Sequence, residues 1–119
     1  METSASNIID LNVIAELKAI GGTEALFKRV ANHFVEKVPA RLAEIEGIAG
    51  SQDVGALANA AHGLKSVVSS LGARRAGKAC ENLELLVRNG HSFVARDLVE
   101  TIVRETRAAL VEVEKLRSA

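Results

Sequence analysis

Neither tryptophan nor tyrosine occurs in the 119 residues, and three phenylalanines make up the whole aromatic complement. Bases of a nucleic-acid strand therefore have no platform of rings to stack on, which excludes the usual single-strand binders. The one cysteine, Cys80, cannot close an intrachain disulfide. There is no signal-peptide pattern and no apolar run of about 20 residues, so the expectation is a cytoplasmic, reduced chain that does not engage a membrane. Fifteen basic residues balance fifteen acidic ones, and neither sign forms a run long enough for a nucleic-acid footprint or a membrane-binding patch. Metal-ligand spacings such as His-x3-His, Glu-x-x-His and Cys-x-x-Cys are missing, and no metal or other cofactor is expected. Without a Gly-x-Ser-x-Gly turn, a Gly-x-x-x-x-Gly-Lys loop or a kinase glycine-rich loop, neither a hydrolase nor an ATP-dependent enzyme is supported.

What is present is hydrophobic content of 48%, enough for one core in one domain spanning residues 1–119, with 1–9 as a flexible lead. Asp10 reads as the N-cap of a short helix bearing Leu11, Ile14, Ala15 and Leu17, stopped by Gly21-Gly22. Thr23 then caps a helix whose Leu26, Phe27, Val30, Phe34 and Val38 recur at threes and fours. Pro39 interrupts that pattern while Leu42, Ile45 and Ala49 continue it, leaving open one kinked helix or two abutting ones. Asp53 caps the next helix, which Gly72 ends. Ala73 to Asn89 buries Ala76, Ala79, Cys80, Leu83, Leu86 and Val87, and Gly90 terminates it. Ser92 is read as the cap of a final long helix with its seam at Phe93, Ala95, Val99, Ile102, Thr106, Ala109, Val113 and Leu116. Short turns between long helices predict an all-α, antiparallel up-down-up-down four-helix bundle, with the Asp10 helix laid across one end.

The stretch from Gly55 to Gly72 carries the chemistry. At about 100° per residue, Leu57, Ala60, Ala61, Leu64, Val67, Val68 and Leu71 share one stripe that faces the core. His62 points away from it. Its face holds Gly55, Ala58, Asn59, Ser66, Ser69 and Ser70 in place of the long charged side chains usual on a solvated helix. Another surface can therefore approach the ring. A neutral imidazole offers a nucleophilic nitrogen near pH 7, suited to accept a phosphoryl group. Lys65, one turn on, can offset the charge such a group brings. His33 beside a stripe and His91 beside Gly90 read as structural or solvent residues, Cys80 as a small core residue, and Arg74-Arg75 as solvated charge.

Ala61-His62-Gly63-Leu64-Lys65-Ser66, running on to Leu71-Gly72-Ala73, with Cys80 and Leu83-Glu84 downstream, resembles the histidine-containing phosphotransfer (HPt) domains of phosphorelays. Their motif is an Ala-His-x-Leu-Lys-Gly core followed by small residues and Leu-Gly, and the likeness runs from about Asp10 to the end of the chain. The resemblance implies that His62 is the phosphorylated residue and that Lys65 steadies the phosphoryl charge. It implies that Ala58, Asn59, Ser66 and Ser69 belong to the dock for a response-regulator receiver domain, which brings the aspartate and the magnesium. A histidine kinase, including a hybrid kinase, is the other partner implied. Ser66 stands where the family usually has glycine; it is small enough to keep the dock open, and its hydroxyl can reach the ring or the phosphoryl oxygens. Glu84 holds a position where related domains often carry a Gln or Glu that orients the imidazole; an i,i+4 pair with Arg88 is the competing assignment. A bundle that binds or sequesters a receiver or kinase without accepting phosphate is the second functional reading.

Overall fold

A computed structural model describes residues 8–22, 24–51, 53–94 and 96–118. Among them are five α-helices and no strand: α1 (Leu11–Ala19), α2 (Ala25–Ala49), α3 (Val54–Ser69), α4 (Arg74–Arg88) and α5 (Arg96–Ser118), with a 3-10 turn, Ile20–Gly22, after α1. The four long helices pack as a closed ring, α2 on α3, α3 on α4, α4 on α5 and α5 back on α2, while α1 rests against α2. This is the antiparallel four-helix bundle with an added N-terminal helix that the periodicity predicts.

Each long helix supplies one buried stripe. Phe27, Ala31, Phe34, Val38, Leu42 and Ile45 come from α2; Leu57, Ala60, Ala61, Leu64, Val67 and Val68 from α3; Ala76, Ala79, Cys80 and Leu83 from α4; Val99, Ile102, Ala109 and Val113 from α5. All belong to one apolar cluster. Fully burying a large aliphatic or phenyl side chain is worth about 1.5–3 kcal/mol, and truncating Phe34 to alanine would cost roughly 3–5 kcal/mol once the cavity is included. Leu86, Val87 and Leu116 sit at the margin, half-buried.

Pro39 lies inside a single continuous α2. Its ring is exposed, so the amide hydrogen it lacks is missing on the solvent side, where water can satisfy the released carbonyl. Meanwhile Val38 and Leu42 keep the helix seated in the core. Asp53 caps α3 as expected, its Oδ1 accepting from the Ala56 amide at 3.0 Å. Asp10 caps α1 through the Asn12 amide at 2.9 Å. It also fastens α1 to the α3–α4 turn: the Asp10 amide donates to the Gly72 carbonyl at 2.9 Å, and Arg74 Nε donates to Asp10 Oδ2 at 3.0 Å.

Several expectations need correcting. Ile9 is completely buried in the core, so the flexible lead does not extend to residue 9; residues 1–7 lie outside those described. Leu11 and Ala15 are exposed, and α1 buries only Ile14, because a short helix lying over one end needs just one anchor. Thr23 lies outside the described residues; Glu24 precedes α2 and pairs with Lys18 at 3.3 Å. Ser92 does not cap the last helix, which begins at Arg96. The chain first turns back at His91, whose backbone amide and ring Nδ1 both reach the Leu86 carbonyl, at 3.1 and 3.0 Å. It then buries Val94, leaving Phe93 63% exposed; lying ahead of the helix, Phe93 is not subject to the helical register that put it on the seam. Ala95 lies outside the described residues. Arg74 and Arg75 are solvent-exposed as expected, but each also has a partner: Arg74 is paired with Asp10, and Arg75 Nη2 donates to Glu105 Oε1 on α5 at 2.8 Å.

Candidate functional site

The same stripe that buries α3 turns His62 outward, and its side chain is 66% exposed. Around it Asn59, Ser66 and Ser69 are exposed, whereas Ala58 is half-buried against the core and contributes only the edge of the face. The Ser66 hydroxyl donates to the His62 backbone carbonyl at 3.3 Å and not to the ring, as a serine one turn along a helix commonly does.

From the neighbouring helix, Glu84 reaches in with a side chain only 11% exposed. His62 Nδ1 lies 3.2 Å from Glu84 Oε2. A carboxylate can only accept, so Nδ1 carries the proton and donates. This fixes the tautomer and leaves Nε2 as the ring nitrogen without a protein partner among the described residues. The second carboxylate oxygen, Oε1, lies 3.3 Å from Lys65 Nζ. Glu84 is thus shared between His62 and Lys65, and among the described residues it makes no pair with Arg88. One turn earlier on α4, Cys80 is fully buried; burial pushes its thiol up to about 12, the Glu84 charge adding to the effect and Lys65 opposing it. It remains a neutral thiol under the carboxylate, consistent with a core residue.

Two features of the site carried no signal in the periodicity. Gly77 on α4 is buried, and a β-carbon there would stand 3.2 Å from Ser69 Oγ, so the missing side chain lets α4 close on α3 at Ser69, two turns along from His62. Arg41, on α2, lays its guanidinium against Gly63: a β-carbon at 63 would meet Arg41 Nη1 at 3.1 Å and Cζ at 3.4 Å. A glycine inside a helix was the visible hint in each case; the partner was not. Beyond Lys65 the surface dips into a depression of about 380 Å³ lined by Val13, Ser69, Arg74, Gly77, Lys78 and Glu81. His33 is exposed, and His91 serves the end of α4.

A helix-borne imidazole with one nitrogen held by a carboxylate, the other facing solvent and a cation alongside can act as a nucleophile toward phosphorus. The family model for the Hpt domain matches residues 29–118. The chain belongs to the Hpt domain family. Hpt proteins are phosphotransfer carriers of two-component signalling, and that class of role comes with membership. The crystal structure of histidine-containing phosphotransfer protein B (HptB) from Pseudomonas aeruginosa PAO1 is similar over 93% of this chain and 95% of that one, with a TM-score of 0.81 and 26% identity. No curated protein matches the chain. Among the described residues of this Hpt protein, no group of three or more His, Cys, Asp or Glu is placed to hold a metal ion, and no helix is long and apolar enough to cross a membrane.

Proposed function

We propose that this Hpt protein is a cytoplasmic phosphorelay intermediate: His62 accepts a phosphoryl group from a receiver aspartate or a histidine kinase and passes it to a response-regulator receiver. The observation that carries the reading is the division of the ring, with Nδ1–H committed to Glu84 and Nε2 turned outward on a side chain 66% exposed. In the step proposed, a docked partner brings its phosphorus in line with Nε2. The nitrogen lone pair forms the N–P bond while the P–O bond to the aspartate breaks, and that oxygen leaves with the electron pair as carboxylate. The ring keeps its Nδ1 proton, and the positive charge it gains is offset by Glu84. Lys65 balances the incoming phosphoryl oxygens. Both phosphorylated species are reactive, so the exchange is close to thermoneutral and reversible, and docking geometry supplies most of the acceleration. Magnesium enters with the receiver; this chain needs no cofactor of its own.

The small residues Asn59, Ser66 and Ser69 leave the approach clear, and the depression beyond Lys65 extends the surface a receiver would cover. Incubation with a phosphorylated receiver should place acid-labile label on the wild-type chain and none on His62→Gln. Label persisting in that variant refutes the assignment. Receiver binding without any label on the wild-type chain would point instead to an adaptor that sequesters its partner.

A further inference from the structure

We infer that Arg41 is a second phosphoryl-binding cation of this site, admitted to it by the missing side chain at Gly63. The inference rests on the assignment of His62 as acceptor. On a helix, residue 63 projects about 100° to one side of residue 62, and residue 65 about 60° to the other. Lys65 and Glu84 therefore flank the imidazole on the α4 side, and Gly63 marks its α2 side. There Arg41 occupies the space a side chain would take, with Nη1, Cζ and Nε at 3.1, 3.4 and 3.8 Å from the β-carbon position.

The two cations are committed differently. Lys65, 29% exposed, stands 3.3 Å from the nearly buried Glu84 Oε1, an ion pair without a hydrogen bond among the described residues. A phosphoryl group arriving on Nε2 must share that ammonium with a carboxylate that already uses it. Arg41 has only Glu44, three residues along its own helix, at a loose 3.7 Å with both side chains close to half exposed. Such pairs are weak and easily exchanged. A guanidinium presents paired N–H donors that match two phosphoryl oxygens, which an ammonium does not. Arg41 thus supplies the more readily exchanged charge, and the missing β-carbon at Gly63 lets its guanidinium lie a few tenths of an ångström closer to this face than an alanine would allow.

The test compares wild type with Arg41→Ala, Arg41→Lys and Gly63→Ala, all on the full chain and with thermal midpoints recorded alongside. Each is equilibrated with one phosphorylated receiver, and the ratio of phospho-His62 to aspartyl phosphate is read from acid and base lability. Loss of a partly exposed charge-assisted contact should lower the ratio roughly 3–10-fold in Arg41→Ala. Gly63→Ala, which removes no charge and displaces the guanidinium by only a few tenths of an ångström, should lower it less than Arg41→Ala, and Arg41→Lys should also fall between wild type and Arg41→Ala. A receiver-free readout comes from loading the isolated chain with phosphoramidate, whose P–N bond breaks as ammonia leaves; the phosphorus-31 resonance of phospho-His62 should move in the same direction in Arg41→Ala and Gly63→Ala. A ratio within twofold of wild type and an unmoved resonance in Arg41→Ala overturn the role of Arg41 while leaving His62 as acceptor. No acid-labile phosphate on the wild-type chain from either donor overturns both.

Discussion

The Lys65 ammonium rests 3.3 Å from the Glu84 carboxylate, whose other oxygen lies 3.2 Å from the imidazole of His62. One acidic group therefore orients the imidazole and pairs with the cation. Glutamine at 84 keeps an oxygen that can accept from Nδ1–H but gives up the charge; alanine gives up both. Glu84→Ala should slow phosphoryl uptake by roughly 10–100-fold, the range found when the carboxylate orienting a metal-ligating histidine is removed. Glu84→Gln should recover most of the loss. Single-turnover labelling from a phosphorylated receiver measures both, and equal rates in the two variants would show that the hydrogen bond to the ring is not what matters.

Gly72 adopts φ +73°, in the left-handed region, and a β-carbon there would lie 2.7 Å from Asp10 Cβ and 3.2 Å from the Asp10 amide nitrogen. Gly72→Ala must accept backbone strain and push α1 off its seat. We expect a loss of about 1–3 kcal/mol, seen as a lower urea midpoint with an unchanged slope.

The Arg74 hydrogen bond, helped by the Asn12 amide, holds the Asp10 carboxyl below its ordinary 3.8. A folded-state value below the unfolded one stabilises the protein above the unfolded value and ceases to do so as the pH falls through the folded value. Asp10→Asn keeps a good cap and loses the charge. It should be less stable than wild type near neutrality, with the gap closing only as the pH drops below 3.8. Urea midpoints of the two proteins from about pH 6 to pH 2 check this; a constant gap would refute it.

Thr106 is fully buried on α5, and among the described residues its hydroxyl has no hydrogen-bond partner. Valine removes that unpaired group while nearly preserving shape, so Thr106→Val should stabilise the bundle by about 1 kcal/mol. A lower urea midpoint in this variant would mean that the hydroxyl is satisfied in solution.

The bundle was legible because its stripes are local: Leu57 through Leu71 share a face by spacing alone, and the same spacing turns His62 outward. The partner of Glu84 was not. On the sequence, Arg88 lies one turn away and competes on equal terms with a ring 22 residues distant; only the packing of α4 on α3 decides for His62. The partners of Arg74 and Arg75 were hidden for the same reason, lying 64 and 30 residues away. Ser92 misled differently: serine before a periodic run is a sound cap signal, but the reach of His91 to Leu86 and the burial of Val94 delay α5 to Arg96. Arg41 was invisible because a charge every few residues on an exposed face is ordinary, and only its contact with Gly63 marks this one.

His62, Lys65, Glu84 and Arg41 all stand on long helices, none on a loop. On the proposed reading, no segment among the described residues has to order before the imidazole is used, so the time between collision and transfer contains no folding step within them. For a relay protein the tempo is then set by how often a partner arrives correctly turned, and a change in signalling speed has to be written into the encounter, not into the motions of the bundle.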